Sequence, residues 1–177
     1  MNIRFCGFGG QGIVLSGYIY GVAATLDGKK ALQTQSYGSE SRGGECRSDV
    51  IISDEEIHEL APSRLSVLIA LSQAAYDSYL PVLEETGILI VEDDLVDTGE
   101  NAPARTFRIK ATDIAYKKFG RKIMANMVMM GFIGAILAEV SKDALRQAVS
   151  GNVPAGTEEI NLKAFEEGYR AGEKVAA

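Results

Sequence analysis

The chain has 177 residues, a formal net charge of -6, and 46% hydrophobic and 24% charged residues. This length and composition are typical of one soluble globular domain, whose core is large enough to need neither disulfides nor a structural metal. The acidic balance argues against a protein that binds the nucleic-acid backbone, because such proteins usually carry a basic surface. We therefore expect a single domain over residues 1–177.

The cysteine and histidine content argues against a metal centre. Cys6 and Cys46 are the two cysteines and His58 is the one histidine, which is too small a set for a zinc or iron–sulfur site. The most apolar stretch, residues 123–138, is shorter than the roughly 20 residues needed to cross a bilayer. No cationic leader precedes the first predicted strand. We expect a cytoplasmic protein without a membrane partner.

The predicted elements begin with a buried strand at residues 2–6 and a helix at 12–26, with Asp27-Gly28 as its stop. Residues 30–36 and 46–53 are predicted as the second and third strands. The loop between these two strands is too short for a helical crossover, so they should pair antiparallel. The sheet is therefore predicted to be mixed.

Apolar runs predict two further buried strands at residues 65–71 and 87–92, with a helix at 73–85 between them and a short strand at 105–109. The rest of the chain is predicted to be helical, at residues 111–119, 122–138, 141–149 and 161–175. The predicted fold class is α/β: a three-layer α/β/α domain with a mixed, mostly parallel sheet, a Rossmann-like start and a helical C-terminal third.

The turn CGFGGQG matches the dinucleotide fingerprint G-x-G-x-x-G at Gly7, Gly9 and Gly12. Glycines let backbone N–H groups approach a phosphate, and the N-terminus of the following helix adds its dipole. The fingerprint also requires an acidic residue after the second strand, where this chain has Gln35-Ser36-Tyr37. Ile13-Val14 likewise stand where a triphosphate-binding loop needs Lys and Ser/Thr. Another anionic ligand, or turn geometry alone, is therefore favoured over NAD or FAD.

A second glycine-rich loop, SYGSESRGG, follows the second predicted strand. One interpretation is a mobile polar connection. If strands one and two are parallel neighbours, however, this loop leaves the same sheet edge as the first glycine turn, where open α/β sheets bind ligands. Arg42 would then face a carboxylate or phosphate.

Other polar groups have simpler interpretations. An acidic group after a strand is interpreted as a solvated loop rather than a metal or acid/base site; its members are Glu92, Asp93, Asp94 and Asp97. A basic group is interpreted as offsetting the charge of a helix C-terminus; its members are Lys117, Lys118, Arg121 and Lys122. His58 has no nucleophile near it in the sequence, so a surface position is favoured over catalysis.

Two segments are candidates for contacts with a partner. Helix 123–138 has no polar face and is methionine-rich, so it is either the centre of the chain's own core or a partner interface. Gly17 and Gly21 lie one turn apart and would let another element pack closely on that helix face.

Taken together, GFGGQG, QTQSYGSESRGGECRSDVIIS and GILIVEDDLV resemble the gamma subunit, or gamma domain, of 2-oxoacid:ferredoxin oxidoreductases. The resemblance covers about residues 3–150. The pairing of G-G-Q-G with S-Y-G-x-E-x-R-G-G is specific, whereas the glycine motif alone is not. QTQSYG followed by E-x-R-G-G is most similar to the 2-oxoglutarate type.

The resemblance implies a complex that oxidatively decarboxylates a 2-oxoacid, transfers the acyl group to coenzyme A and passes electrons to ferredoxin. Thiamine diphosphate and Mg²⁺ would lie between alpha and beta subunits, and iron–sulfur clusters on beta or delta. The gamma chain would bind no cofactor alone, would hold no catalytic residue and no metal, and would form part of the coenzyme A or active-site entrance. Matching motif positions places these residues near that entrance: Gly9, Gly10, Gln11, Gly12, Ser36, Tyr37, Arg42, Gly43 and Gly44.

Two alternatives stay open at this point. The chain would be a gamma-type subunit for a branched-chain 2-oxoacid or for indolepyruvate, or it would be a stand-alone regulatory domain that binds a nucleotide at the glycine turn.

Overall fold

A computed structural model describes residues 1–37, 45–100 and 102–176. Arg42, Gly43 and Gly44 lie outside the described residues. The strands are β1 (Asn2–Phe8), β2 (Lys30–Tyr37), β3 (Glu45–Ser53), β4 (Leu65–Ala70), β5 (Leu83–Glu92) and β6 (Thr106–Ile109). The helices are α1 (Ile13–Leu26), α2 (Gln73–Tyr79), α3 (Ala111–Phe119), α4 (Ala125–Leu137), α5 (Lys142–Asn152) and α6 (Glu158–Ala176), with 3₁₀ turns at Leu80–Val82 and Lys122–Met124.

The strands form one mixed sheet in the order β2-β3-β1-β4-β5-β6. Strands β1, β4, β5 and β6 pair in parallel, and β3 runs antiparallel to both of its neighbours, which confirms the predicted pairing of β2 with β3. The condition that β1 and β2 are neighbours is not met, because β3 lies between them. Both strands still end at one edge of the sheet, since Gly7 and Tyr37 are each paired with Cys46. We call this the carboxyl edge.

Helices cover both faces of the sheet, as the α/β/α prediction requires. The large apolar core joins β1, β3 and β4 to α1 and to the helices from α3 onward. Among the described residues, the other layer consists of α2 and the 3₁₀ turn that follows it. Ala75 and Tyr76 of α2 pack in one cluster with Cys6, Leu68 and Leu89. The two helical layers are therefore very unequal.

Helix α2 ends earlier than predicted. It stops at Tyr79, a 3₁₀ turn with Pro81 follows, and β5 begins at Leu83. Proline lacks the N–H that would continue the hydrogen bonds of the helix. The predicted helix to residue 85 and the strand start at residue 87 are thus wrong at this boundary.

Helices α4 and α6 pack through glycines. A Cβ on Gly131 of α4 would overlap the carbonyl oxygen of Phe165, and one on Gly168 of α6 would overlap that of Val128. Met127, Met129 and Met130 are all buried beside this contact. The structure therefore confirms the core interpretation for α4, whereas Ile123, which the prediction included in the same helix, precedes α4 and is exposed.

The Gly17/Gly21 face of α1 is also internal. A Cβ on Gly17 would overlap the hydroxyl of Ser48 in β3, and one on Gly21 would lie 3.8 Å from Val50 Cγ1. The prediction of a partner contact at this face is wrong, because the sheet of the same chain occupies it.

Candidate functional site

The first glycine turn joins β1 to α1 at the carboxyl edge, and Gln11 braces it. The Oε1 atom of Gln11 accepts a hydrogen bond from the Phe8 N–H at 2.7 Å, and its Nε2 donates to the Leu71 carbonyl at 2.9 Å. The side chain thus ties the turn to the chain that leaves β4. Gln11 was predicted as an entrance residue, and its amide is used within the protein.

The glycines of the turn have different reasons to be glycine. A Cβ on Gly7 would overlap Gln11 Oε1, so Gly7 makes room for the brace. Gly12 has φ +76° and a Cβ there would lie 2.5 Å from Asn126 Nδ2 of α4. Gly10 has φ +101° and open space where a side chain would be. Gly10 is thus the glycine whose free side faces outward.

The start of α1 keeps the features of an anion site. Gly12 is its N-cap residue and makes no side-chain capping bond, and the first turn carries no acidic residue. The first N–H groups of a helix have no partner within the helix, and its dipole favours a negative charge there. The phosphate argument for the turn is therefore compatible with the structure.

A cavity of about 350 Å³ lies beside this turn, within the size range of ligand pockets. We call it the edge cavity. One wall is formed by Gly10 and Gln11, and the others come from β5, α3, α4 and the turn before α4. Its remaining lining residues are Leu71, Glu92, Leu95, Thr112, Lys122, Ile123, Ala125 and Asn126.

Glu92, the last residue of β5, is the buried carboxyl group of the edge cavity, with 1% of its surface exposed. Its Oε2 accepts hydrogen bonds from the Thr112 N–H at 3.0 Å and the Thr112 hydroxyl at 3.1 Å, at the start of α3. Its Oε1 has no hydrogen-bond partner within the described residues. Burial raises the pKa of Glu92, and hydrogen bonding from Thr112 and from the Asp94 backbone N–H opposes that rise.

The predicted solvated loop is therefore wrong for Glu92, because β5 and α3 enclose its side chain. The prediction holds for the residues after it: Asp94 and Asp97 are exposed, and Asp94 pairs with Lys110 at 3.0 Å. One signal of burial was present in the sequence, since Glu92 ends the apolar run GILIV. A charged residue directly after such a run is carried to the end of a buried strand.

The predicted group of basic residues also occupies two different places in the structure. Lys117 and Lys118 occupy the last turn of α3, which confirms their predicted capping position. Lys122 follows the end of α3 and also lines the edge cavity, which the sequence did not indicate. The polar cavity residues that sequence reasoning missed are Thr112, Lys122 and Asn126.

The structure brings together only part of the predicted entrance. The turn that contains Gly9, Gly10, Gln11 and Gly12 lies at the carboxyl edge, and Gly10 and Gln11 line the edge cavity. Ser36 and the Tyr37 backbone lie at the same edge beyond β3, about 10 Å from β1 at the usual strand spacing. Ser36 is exposed.

In residues 1–37, 45–100 and 102–176, no three His, Cys, Asp or Glu side chains are grouped as a metal site would require. Cys6 and Cys46 are buried in clusters on opposite faces of the sheet. Burial raises the pKa of Cys6, whose thiol donates to the Ile69 carbonyl. Cys6 therefore fits a structural role. None of the described helices combines the length and apolarity of a membrane span.

The family model described as pyruvate ferredoxin/flavodoxin oxidoreductase matches residues 2–171. The chain belongs to this family. It is 44% identical to the 2-oxoglutarate synthase subunit KorC of Methanocaldococcus jannaschii, over 98% of this chain and 95% of that one. It is 31% identical to the ketoisovalerate oxidoreductase subunit VorA of Methanothermobacter thermautotrophicus, over 95% of this chain but 35% of that longer protein.

The solved gamma subunit of a keto/oxoacid ferredoxin oxidoreductase from Geobacter sulfurreducens is 41% identical, with a TM-score of 0.85 and 99% of each chain covered. The sequence resemblance to gamma subunits is thus confirmed, and so is the fold class. In this chain, the side chain of Gln11 holds the Rossmann-like turn through two hydrogen bonds. Gly10 of the same turn lines the edge cavity.

Proposed function

We propose that the chain is the gamma subunit of a 2-oxoglutarate:ferredoxin oxidoreductase. The carrying observation is the 44% identity to a 2-oxoglutarate synthase subunit over nearly the whole of both chains. Such a complex converts a 2-oxoacid and coenzyme A to an acyl-CoA and CO2 and passes electrons to ferredoxin. A branched-chain substrate is the second candidate, because the 31% match to a ketoisovalerate subunit also spans this chain.

The chain would act as a subunit without activity of its own, in the cytoplasm and as one domain over residues 1–177. Its partners would be alpha and beta chains, with delta as a further candidate, and ferredoxin would be reached through the complex. Thiamine diphosphate, Mg²⁺ and the iron–sulfur clusters would lie on those partners and supply the redox chemistry. In support, the buried carboxylate of the edge cavity is tied to α3 by Thr112, as a structural group would be.

The carboxyl edge would form part of the coenzyme A entrance. The open side of Gly10, the start of α1 and the cation of Lys122 are chemically suited to a phosphate. The proposed entrance residues are those named from the sequence, including Ser36, Tyr37 and, outside the described residues, Arg42, Gly43 and Gly44.

The first test compares the chain alone with the chain purified together with its partner subunits. The assay is reduction of a viologen dye that depends on 2-oxoglutarate, coenzyme A and thiamine diphosphate. We expect activity from the complex and none from the lone chain. Activity of the lone chain would contradict the subunit proposal, and turnover of a different 2-oxoacid alone would contradict only the substrate.

The entrance proposal is tested with Arg42→Ala in the active complex. Arg64→Ala is the matched control, since Arg64 is exposed and directly precedes β4 at the opposite edge of the sheet. We expect Arg42→Ala to raise the apparent KM for coenzyme A or the 2-oxoacid several-fold, about the loss of one charge-assisted contact. The same KM in both variants would remove Arg42 from the site.

The stand-alone regulatory domain is disfavoured by a specific observation. In the ketoisovalerate relative, a region matching almost all of this chain makes up 35% of a longer subunit. A domain that is joined to the rest of an oxidoreductase subunit in one relative is more simply explained as a component of the complex in another.

A further inference from the structure

The two outer strands of the sheet differ in how they are protected. At one side, β6 has four residues and includes the exposed Arg108. At the other side, β2 has eight residues, and its one charged residue, Lys30, is the first. Among the described residues β2 pairs with β3 alone, in an unbroken register. Natural outer strands are usually short or carry charges, bulges or prolines, because an open strand pairs readily with another chain. Strand β2 lacks these protections.

The helix beside β2 is also uncharged. None of the 14 residues of α1 carries a charge, although Tyr18 and Leu26 are 48% and 44% exposed. A groove of about 220 Å³ separates α1 from β2. Its lining includes Tyr18, Val22 and Thr25 of α1 and Ala31 and Gln33 of β2. The outer side of the molecule at β2 is therefore a neutral surface with a groove along it.

The opposite face of β2 adds an apolar side chain. Ala31 and Gln33 line the groove, so Leu32 between them points to the face away from α1, because side chains alternate along a strand. Leu32 is half-buried and is paired with Ile51 of β3. Neither of the two apolar clusters among the described residues includes Leu32. Leu32 is thus an apolar side chain that the core of the chain does not use.

Charge favours a second copy of the chain on this surface. Two copies with a net charge of -6 repel each other, but α1 and β2 contain no acidic residue. Antiparallel pairing about a twofold axis at Leu32 would place Lys30 beside Thr34, and Ala31 beside Gln33, of the second copy. No like charges then face each other. The last three residues of β2, which end at the carboxyl edge, stay outside this pairing.

A dimer of this kind brings the two α1 helices close together. A twofold axis perpendicular to the sheet keeps both α1 helices on the same face, and each α1 packs over β2 and β3 of its own copy. From the spacing of strands, the two helix axes would lie about 10 to 14 Å apart. Packed helices are about 8 to 10 Å apart, so the exposed Tyr18 side chains would fill the remaining space.

The area of this surface fits a reversible dimer. Strand β2 and helix α1 each extend for about 20 Å or more, and a helix on a sheet is about 20 Å thick. Together they offer roughly 400 to 500 Å² per copy, near the lower limit for a specific interface. A dissociation constant in the micromolar range is therefore expected rather than a permanent dimer.

We propose that the chain forms a twofold dimer through β2, in which the two sheets join into one across Leu32 and the two α1 helices meet through Tyr18. This goes beyond the proposed function, which names no second copy of this chain as a partner. It also does not depend on that function, because the chain on its own should dimerise.

The first measurement is the mass of the lone wild-type chain by sedimentation, over concentrations from about 1 to 100 μM. We expect a monomer–dimer equilibrium within this range. A monomer at every concentration overturns the proposal.

The decisive variants are Leu32→Lys and Leu32→Glu. Each alone places like charges opposite each other at the twofold axis, whereas a charge on an outer strand is tolerated within one chain. We expect each variant to self-associate at least about tenfold more weakly than the wild type, and a mixture of the two to recover a dimer. A mixture that stays monomeric overturns the axis at Leu32.

Leu60→Lys is the matched control for the introduced charge. Leu60 is 73% exposed and lies between β3 and β4. We expect this variant to dimerise as the wild type does. An equal loss in Leu60→Lys and Leu32→Lys would mean that any added charge disturbs the association, and would overturn the proposal.

The helix contact is tested by Tyr18→Ser against Tyr116→Ser. Both tyrosines lie on helices and are about half exposed, at 48% and 58%. We expect at least about a fivefold loss of self-association for Tyr18→Ser and less than about a twofold loss for Tyr116→Ser. Equal effects would overturn the contact between the two α1 helices.

The complete complex separates a second copy from another occupant of β2. Leu32→Lys should bind the alpha and beta chains with wild-type affinity, because the dimer surface lies apart from the carboxyl edge. If this variant loses one of those chains, another subunit occupies β2 and the proposal is overturned. A dimeric chain whose complex does not turn over 2-oxoglutarate contradicts only the proposed function.

Discussion

The α4–α6 contact and the carboxyl edge both depend on glycine, but the glycines do different work. Gly131 and Gly168 let two helix backbones touch, and the space that their side chains would fill is already occupied. At the carboxyl edge, Gly10 has open space beside it and borders a cavity that is also lined by Glu92 and Lys122. The comparison shows that glycine allows close helix packing in the core and leaves space free at the surface.

The largest effect is expected for a substitution in the contact between α4 and α6. In Gly168→Ala the new methyl group would overlap the Val128 carbonyl, a backbone atom that cannot move without separating α4 from α6. We expect a loss of more than about 3 kcal/mol in the free energy of unfolding, at the upper end for overpacking. Chemical denaturation measures it.

Gly151→Ala is the control for that change. Gly151 lies in α5, is exposed, and has no heavy atom within 4 Å of the place where a Cβ would be. We expect it to be neutral or to stabilise by up to about 1 kcal/mol, since alanine favours helix. A similar destabilisation in both variants would contradict the glycine contact.

A medium effect is expected when the brace of the glycine turn is removed. Gln11→Ala leaves the Phe8 N–H and the Leu71 carbonyl without their partner. We expect a loss of about 1 to 3 kcal/mol in the free energy of unfolding. Gln73→Ala is matched, because Gln73 also makes two backbone bonds, both exposed and both to Asp97. Its loss should be below about 1 kcal/mol, and an equal loss would argue against the brace.

The smallest expected effect concerns pH and the carboxylate of Glu92. Because its pKa is raised in the folded protein, the folded state keeps a proton that the unfolded state has released. The wild-type chain should therefore lose stability relative to Glu92→Gln as the pH rises from the ordinary glutamate pKa through the raised value of Glu92. Unfolding curves of both chains across that range measure the difference, and a flat difference would contradict the raised pKa of the buried Glu92 carboxyl group.

Much of the fold could be predicted because the local pattern decides it. The apolar runs of β4 and β5 and the apolar stretch of α1 were placed within a few residues. The short connection between β2 and β3 also fixed their antiparallel pairing. The position of β3 between β1 and β2 could not be predicted. The pattern shows that β2 and β3 pair with each other, but not which of the two strands pairs with β1.

The edge cavity could not be predicted from local sequence patterns, because it depends on how distant segments pack. Glu92, Lys122 and Asn126 come from β5, a 3₁₀ turn and α4, and only tertiary packing brings them together. Glu92 was predicted at the end of a strand, but its side chain was grouped with the acidic residues that follow it, and the enclosure by α3 was not foreseen. The glycine turn, by contrast, was located correctly because its residues are consecutive, although the internal use of Gln11 was not foreseen.

The most direct measurement of the account is amide hydrogen exchange of this chain alone and within its complex. Protection should rise at the carboxyl edge, at Gly10, Leu95 and Ile123, and should stay unchanged in the α4–α6 contact at Val128 and Gly168. A rise confined to the α4–α6 contact, or to the opposite edge near Arg64, would contradict the proposal that the carboxyl edge forms part of the coenzyme A entrance of the complex.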